Sequence, residues 1–240
     1  MSSFIPRLYV KTPLKQGEIL FLSDTQTHYL VNVLRSAPEE TVKVFNGKDG
    51  EWSATLKQES KKKFFLVCQE MVKPQTKNLD IWLAFCPLKK NPLNILIEKG
   101  TELGTTKFIP VKTDYTDFKS YSLGKIHLHA IEAAEQSEQL QVPEFAPFVS
   151  LKDLLHKWPQ ERVLYACLER SDESPTLLKA LDTTKKSAIL IGPEGGFSDA
   201  EKTLLRNHPQ TKIVTLGASI LRAETAAIVS LGCFVQKSLD

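Results

Sequence analysis

Ile191-Gly192-Pro193-Glu194-Gly195-Gly196-Phe197-Ser198 gives the clearest view of how this 240-residue chain is organised. Immediately before it, Ala188 to Ile191 is a continuous apolar run, as in a strand covered on both faces of a parallel sheet. Immediately after, Ser198-Asp199-Ala200-Glu201 has the Ser-x-x-Glu spacing of a capped helix start. Three glycines and a proline within five positions bring bare backbone N–H and C=O groups close to a ligand. The carboxyl end of a parallel strand is where open α/β sheets bind ligands. The segment is neither G-x-G-x-x-G nor a Walker loop, so neither a dinucleotide nor a triphosphate is implied. On glycine content alone, Gly-Pro and Gly-Gly simply make turns.

Working outward, strand and helix patterns alternate on both sides, which predicts a mostly parallel sheet with helices on both faces. Leu79 to Phe85, Phe108 to Val111, Val163 to Leu168 and Ile213 to Leu216 read as further strands. Asn91 offers an N-cap with Pro92 at the first helical position, and Gly104 closes that helix. Lys125 to Ser137 and Arg222 to Gln236 are the other helices that matter here. A second loop, Leu216-Gly217-Ala218-Ser219-Ile220-Leu221-Arg222-Ala223-Glu224-Thr225-Ala226, also follows a strand and feeds a helix. Its Ile220-Leu221 pair can clasp a flat base while backbone amides read the base edge. Glu224 and Thr225 are also ordinary first-turn residues, and Arg222 an ordinary surface cation. Two such loops at one end of a sheet make a pocket.

Before residue 75 the character changes. Val42 to Phe45 leads into the turn Asn46-Gly47-Lys48-Asp49-Gly50, after which Trp52, Ala54 and Leu56 alternate with polar residues. Phe64 to Val67 is another strand and Thr25 to Leu34 a short helix. Residues 1–73 therefore read as a small β-barrel, Lys73 to Asn78 as a linker, and residues 78–240 as the α/β domain. The formal charge is +3, but residues 1–77 hold 12 Lys and Arg against 8 Asp and Glu, and the remainder 19 against 20. A basic β-domain beside a near-neutral α/β domain suggests that one grips a phosphate backbone while the other does chemistry.

Other classes fall away. No apolar run reaches the ~20 residues that span a bilayer. The start, MSSFIPRLYVKT, lacks the unbroken apolar core of an export signal. Cys68, Cys86, Cys167 and Cys233 lie far apart in apolar surroundings, as buried thiols of a reducing cytoplasm do. His127 and His129, two apart on a helix, cannot share an ion, so no metal is expected.

Together these segments resemble the RsmE family of SPOUT-class RNA methyltransferases. The resemblance rests on Arg7-Leu8-Tyr9-Val10, His28-Tyr29-Leu30 to Val33-Leu34-Arg35, Phe45-Asn46-Gly47, Glu98 to Gly104, Glu132 to Ser137 and the two loops. It implies a C-terminal SPOUT α/β knot, trefoil-knotted around a mostly parallel sheet, with an N-terminal PUA-like β-barrel. It further implies methylation of N3 of a uridine in 16S rRNA, within the small ribosomal subunit, by a cytoplasmic homodimer using S-adenosylmethionine. Carried over, the cofactor falls to Leu168, Ile191, Gly192, Pro193, Gly195, Gly196, Leu216, Gly217, Ile220, Leu221, Thr225 and Ala226. Arg222 is the expected stabiliser of the uracil edge, with Glu194 or Glu224 taking the N3 proton or holding Arg222. Arg7, His28, Arg35, Lys61, Lys62 and Lys63 are expected to face RNA. Gln139 and Ser219 stand where the family commonly carries arginine, which removes two fixed cations from that side. Two other readings are a ribose 2′-O methyltransferase of the same class and a non-catalytic RNA-binding assembly protein. Against the first, Glu102 to Lys107 lacks the arginine of the Asn-x-Gly-x-x-Arg segment that such enzymes usually carry.

Overall fold

A computed structural model of the chain describes residues 5–61, 63–76, 79–116, 122–168 and 174–239. The chain forms two compact units: Met1–Lys77 with Ala134–Val142, and Asn78–Ala133 with Pro143–Asp240.

The smaller unit contains β1 (Arg7–Tyr9), β2 (Ile19–Phe21), α1 (Asp24–Thr27), β3 (Thr41–Phe45), β4 (Glu51–Ser60) and β5 (Lys63–Lys73). The sheet runs β1-β3-β4-β5-β2, with β1 parallel to β3 and the other pairs antiparallel. The two-residue period of each strand sends Leu8, Leu20, Val42, Val44, Ala54, Leu56 and Leu66 into one core. The hairpin turn requires glycine at 50, where φ is +79° and a Cβ would lie 2.4 Å from the Lys73 carbonyl oxygen. β5 runs beyond the expected Val67, because Met71 and Lys73 still pair with Trp52 and Glu51 across a bulge. The helix expected over Thr25 to Leu34 is one α-turn, capped by Ser23 and Gln26, followed by a π-helical segment, His28–Val33. Leu34 donates to the Tyr29 carbonyl at 2.9 Å, the five-residue spacing of that wider turn, and Leu30 is fully buried beneath it.

The larger unit contains β6 (Ile81–Phe85), α2 (Lys90–Glu102), β7 (Lys107–Lys112), α3 (Leu123–Gln136, whose last turn from Ala134 belongs to the smaller unit), β8 (Glu144–Phe145), β9 (Val149–Ser150) and α4 (Leu151–His156). It continues with β10 (Arg162–Cys167), α5 (Leu177–Ala180), β11 (Lys186–Ile191), α6 (Asp199–Asn207), β12 (Thr211–Val214) and α7 (Ala223–Lys237). Its sheet runs β12-β10-β11-β6-β7-β8, with β9 also on β7, and every pair is parallel. Leu164, Ala166, Ala188 and Leu190 point to one face, where Leu151, Leu154 and Leu155 of α4 and Leu205 of α6 cover them. α7 packs on α2, α5 and β11. The runs Val163–Cys167 of β10 and Ala188–Ile191 of β11 are therefore apolar on both faces, as the sequence suggested, whereas Arg162, Lys186 and Ser187 stand at the start of those strands.

Most boundaries differ from expectation by one or two residues, and two of the differences have a plain physical reason. α2 begins at Lys90 with Lys89 as N-cap, so Asn91 does not cap it. Pro92 then lies at the third helical position, where a missing N–H costs nothing because first-turn amides have no partner inside the helix. β12 ends at Val214 rather than Leu216, because Thr215 turns to a new partner. Its amide donates to Pro175, its carbonyl accepts from Leu177, and it bridges Thr176 in parallel. Residues 175–177 and Thr215 thus run side by side beyond the end of β12.

Candidate active site

Cys167 lies in register with Ile191 on one side and with Val214 on the other, so Leu168, Gly192 and Thr215 leave the sheet at one level. The two loops singled out in the sequence flank β10 at that level, about 10 Å apart across two strand spacings. Leu168 and Ile191 form a buried apolar floor at 7% and 3% exposure, and Leu168 donates to Val214 at 3.0 Å.

The first loop is tightly built. Gly192 passes so close to Phe197 that a Cβ would lie 2.6 Å from its ring. Gly196, at φ +73°, donates back to the Pro193 carbonyl at 2.9 Å and turns the chain into the capped start of α6. Among the described residues, the amides of Gly192, Glu194 and Gly195, and those of Ala218 through Leu221, donate no hydrogen bond. Seven backbone donors are thus left for a ligand at two loops framing an apolar floor. Leu216 and Leu221 are half-buried, Ile220 is 55% exposed, and Gly217 takes φ +124°. Arg222 is the N-cap of α7 and exposed; Thr225 is exposed, Glu224 half-buried and Ala226 buried in the first turn. Among the described residues, the side chains of Arg222, Glu194 and Glu224 have no hydrogen-bond or ion-pair partner, so all three are free to meet a substrate.

A third segment at this edge was not singled out in the sequence: the turn Thr113–Thr116 after β7. Thr113 donates its amide to Thr116 Oγ1 at 2.8 Å. Asp114 donates its amide to Glu201 at 2.9 Å and accepts from Ser198 Oγ at 2.6 Å. Glu201, 6% exposed, accepts from the Ser198 amide as well, so the capping box doubles as a tether between this turn and the glycine loop. The Cys86 thiol, 3.5 Å from Thr113 Oγ1, is pushed up to about 11 by burial. A shallow cleft of about 510 Å³ between α4 and α6, lined by Leu155, Leu204 and His208, holds none of the expected residues.

The chain matches two family descriptions: an RNA methyltransferase domain over residues 75–235 and an RNA methyltransferase PUA domain over residues 22–67. It is 35% identical to the ribosomal RNA small subunit methyltransferase E of Rickettsia conorii, over 94% of this chain and 93% of that protein. This chain belongs to the RNA methyltransferase family. The corresponding Bacillus subtilis enzyme is 28% identical over 92% of this chain and 91% of its own length. A crystal structure of the Neisseria gonorrhoeae enzyme, bound to S-adenosyl methionine, superposes with a TM-score of 0.88 at 25% identity, covering 98% of both chains.

The RNA methyltransferase fold corrects one residue of the expected RNA-facing set. Arg7 is 7% exposed. Its Nε pairs with Glu51, its Nη1 and Nη2 donate to the carbonyls of Ala134 and Gln139 at 2.6 and 2.7 Å, and it lies 3.8 Å over the Phe45 ring. With its guanidinium committed to these partners, it ties β1 to Ala134–Val142 inside the small unit and does not face outward to RNA. Burial raises the Glu51 carboxyl, but Arg7 and Lys43 outweigh it and hold its pKa below the ordinary glutamate range. His28, Arg35, Lys61 and Lys63 are exposed, whereas Lys62 lies outside the described residues. Arg35 takes φ +58° just after the π-helical segment.

Proposed function

We propose that this protein transfers a methyl group from S-adenosylmethionine to N3 of a specific uridine in 16S rRNA. The observation that carries the reading is the pair of backbone-donor loops over an apolar floor at the carboxyl ends of β10, β11 and β12. That chemistry suits this donor, which has a flat base with polar edges and a charged amino-acid end. Leu168, Ile191, Leu216, Ile220 and Leu221 would pack its apolar parts, and the amides of Gly192, Gly195 and Ala218–Leu221 would meet its polar edges. Bound there, it supplies an electrophilic methyl group for in-line displacement.

Uridine N3 is protonated at neutral pH and is a poor nucleophile in that state. Arg222, unpaired at the tip of α7, stabilises the negative charge that develops on the uracil edge as the N3 proton leaves. Glu194 or Glu224 accepts that proton. Because N3 lies on the pairing edge, the base must be unpaired or displaced to react. His28, Arg35, Lys61 and Lys63 of the small unit contact the RNA backbone.

The Thr176–Thr215 crossing is where the trefoil knot of the resemblance would lie. We read the working form as a homodimer, as the family resemblance implies. The RNA is read in the context of the small ribosomal subunit. Deleting the gene and analysing 16S rRNA nucleosides by mass spectrometry tests the reading, with loss of one N3-methyluridine as the expected result. Loss of a ribose methyl group instead would establish the 2′-O reading, and failure to bind S-adenosylmethionine by calorimetry would leave a non-catalytic assembly protein.

A further inference from the structure

Tyr115 lies on the turn between β7 and α3 and is 56% exposed. Its Cβ is 3.4 Å, and its ring atoms 3.8 and 3.9 Å, from where a side chain on Gly195 would begin. The ring therefore stands at the lip of the glycine loop, on the same strand-end edge as Arg222. Its base is anchored by neighbours on both sides. Asp114 is tied to Glu201 and Ser198, while Thr113 and Thr116 bond one another at 2.8 and 2.7 Å. A large aromatic held on a braced turn, open to solvent beside free backbone donors, differs from a stray surface tyrosine. Unpaired bases are recognised by stacking on such rings.

We propose that Tyr115 is the face against which the displaced target base stacks, and that Glu201 is the positioning residue that holds that ring in place. This inference rests on the methyl-transfer reading above and adds a substrate-binding residue to it. Glu201 acts from behind: its two carboxylate oxygens bridge the glycine loop and the Tyr115 turn, so the ring and the donor site keep one spacing. Gly195 lies directly beside the ring, and even a Cβ there would only reach ordinary van der Waals contact with Tyr115.

The test uses the full-length protein, tritiated S-adenosylmethionine and small ribosomal subunits from a strain lacking the gene. Tyr115→Ala should raise the KM for subunits roughly 5- to 150-fold, the range of alanine substitutions at base-stacking rings. Tyr115→Phe should stay near wild type, and calorimetric affinity for S-adenosylmethionine should hold in both. Glu201→Gln should raise the same KM in the wild-type background but add little in the Tyr115→Ala background, since both act through one ring. An unchanged KM in Tyr115→Ala refutes the proposal, as does an equal loss in Tyr115→Phe, which would assign the role to the hydroxyl. Loss of cofactor affinity in Tyr115→Ala would also refute it, making the ring a wall of the donor site. A wild-type protein that binds the cofactor yet methylates no subunit overturns the methyl-transfer reading itself, a different outcome from any of these.

Discussion

Gly192→Ala offers the sharpest test of how the first loop works. A methyl group there would sit 2.6, 2.9 and 3.1 Å from three atoms of the Phe197 ring. The ring cannot swing aside, because Phe197 is 4% exposed and packed in the core that α4 and α6 share with the sheet. Either the ring is driven into that core or the loop is pushed off the end of β11. Overpacking of this kind costs about 1–3 kcal/mol. For a unit of this size each kcal/mol lowers the unfolding midpoint by about 2–4 °C, giving a fall of about 2–12 °C. The displaced loop should also misplace the amides of Gly192, Glu194 and Gly195, so affinity for S-adenosylmethionine should fall tenfold or more, about 1.4 kcal/mol. Thermal denaturation followed by circular dichroism reads the first effect and isothermal calorimetry the second. Gly195→Ala, whose new atom would meet nothing closer than 3.4 Å, is the control and should melt within about 0.5 kcal/mol of wild type. If Gly192→Ala melted with wild type, the loop would have slack that the packing denies. If it were destabilised yet bound the donor at full strength, the donor would lie elsewhere.

Arg222→Ala should lower kcat more than tenfold while leaving calorimetric cofactor affinity intact; a smaller loss removes Arg222 from charge stabilisation. Glu51→Gln strands the buried Arg7 cation and should cost about 3–5 kcal/mol in denaturant unfolding. Because the folded Glu51 pKa is lowered, its stabilisation is present above the ordinary glutamate value and drains away as pH falls through the lowered one. Acid titrations of wild type and Glu51→Gln should therefore converge at low pH, and parallel curves would contradict the pairing. The Cys86 thiol, 1% exposed and pushed up to about 11, should resist iodoacetamide at pH 8 until the protein unfolds. Labelling of Cys86 in the folded protein would show that the end of β6 opens.

Much of the site can be read from local sequence. The apolar run ending at Ile191, the Gly-Pro and Gly-Gly pairs and the Ser198 capping box each act within a few residues. Their chemistry names a strand, a loop and a helix without help from the rest of the chain. The start of α7 is legible to within one residue, although Arg222 stands at its N-cap without a side-chain capping bond and not as its first helical residue. The Thr113–Thr116 turn carried no such signal. Asp114, Tyr115 and Glu201 are common surface residues, and their association spans 87 positions of the chain. Arg7 shows the opposite failure. An arginine in a basic domain of an RNA methyltransferase suggests RNA, but its partners come from residues 51, 134 and 139.

From its residues alone, this chain specifies a mostly parallel core sheet, a small β-unit ahead of it, and two glycine-bearing loops after buried strands. Those properties follow from side-chain periodicity and turn chemistry, which act over one or two turns of backbone. Which strand lies beside which, and therefore that β10 sits between the two loops with Tyr115 and Glu201 alongside, is settled only in three dimensions. Parallel strands are joined by long crossovers, and the pairing of distant segments is decided by burial of whole faces rather than by any neighbouring residue.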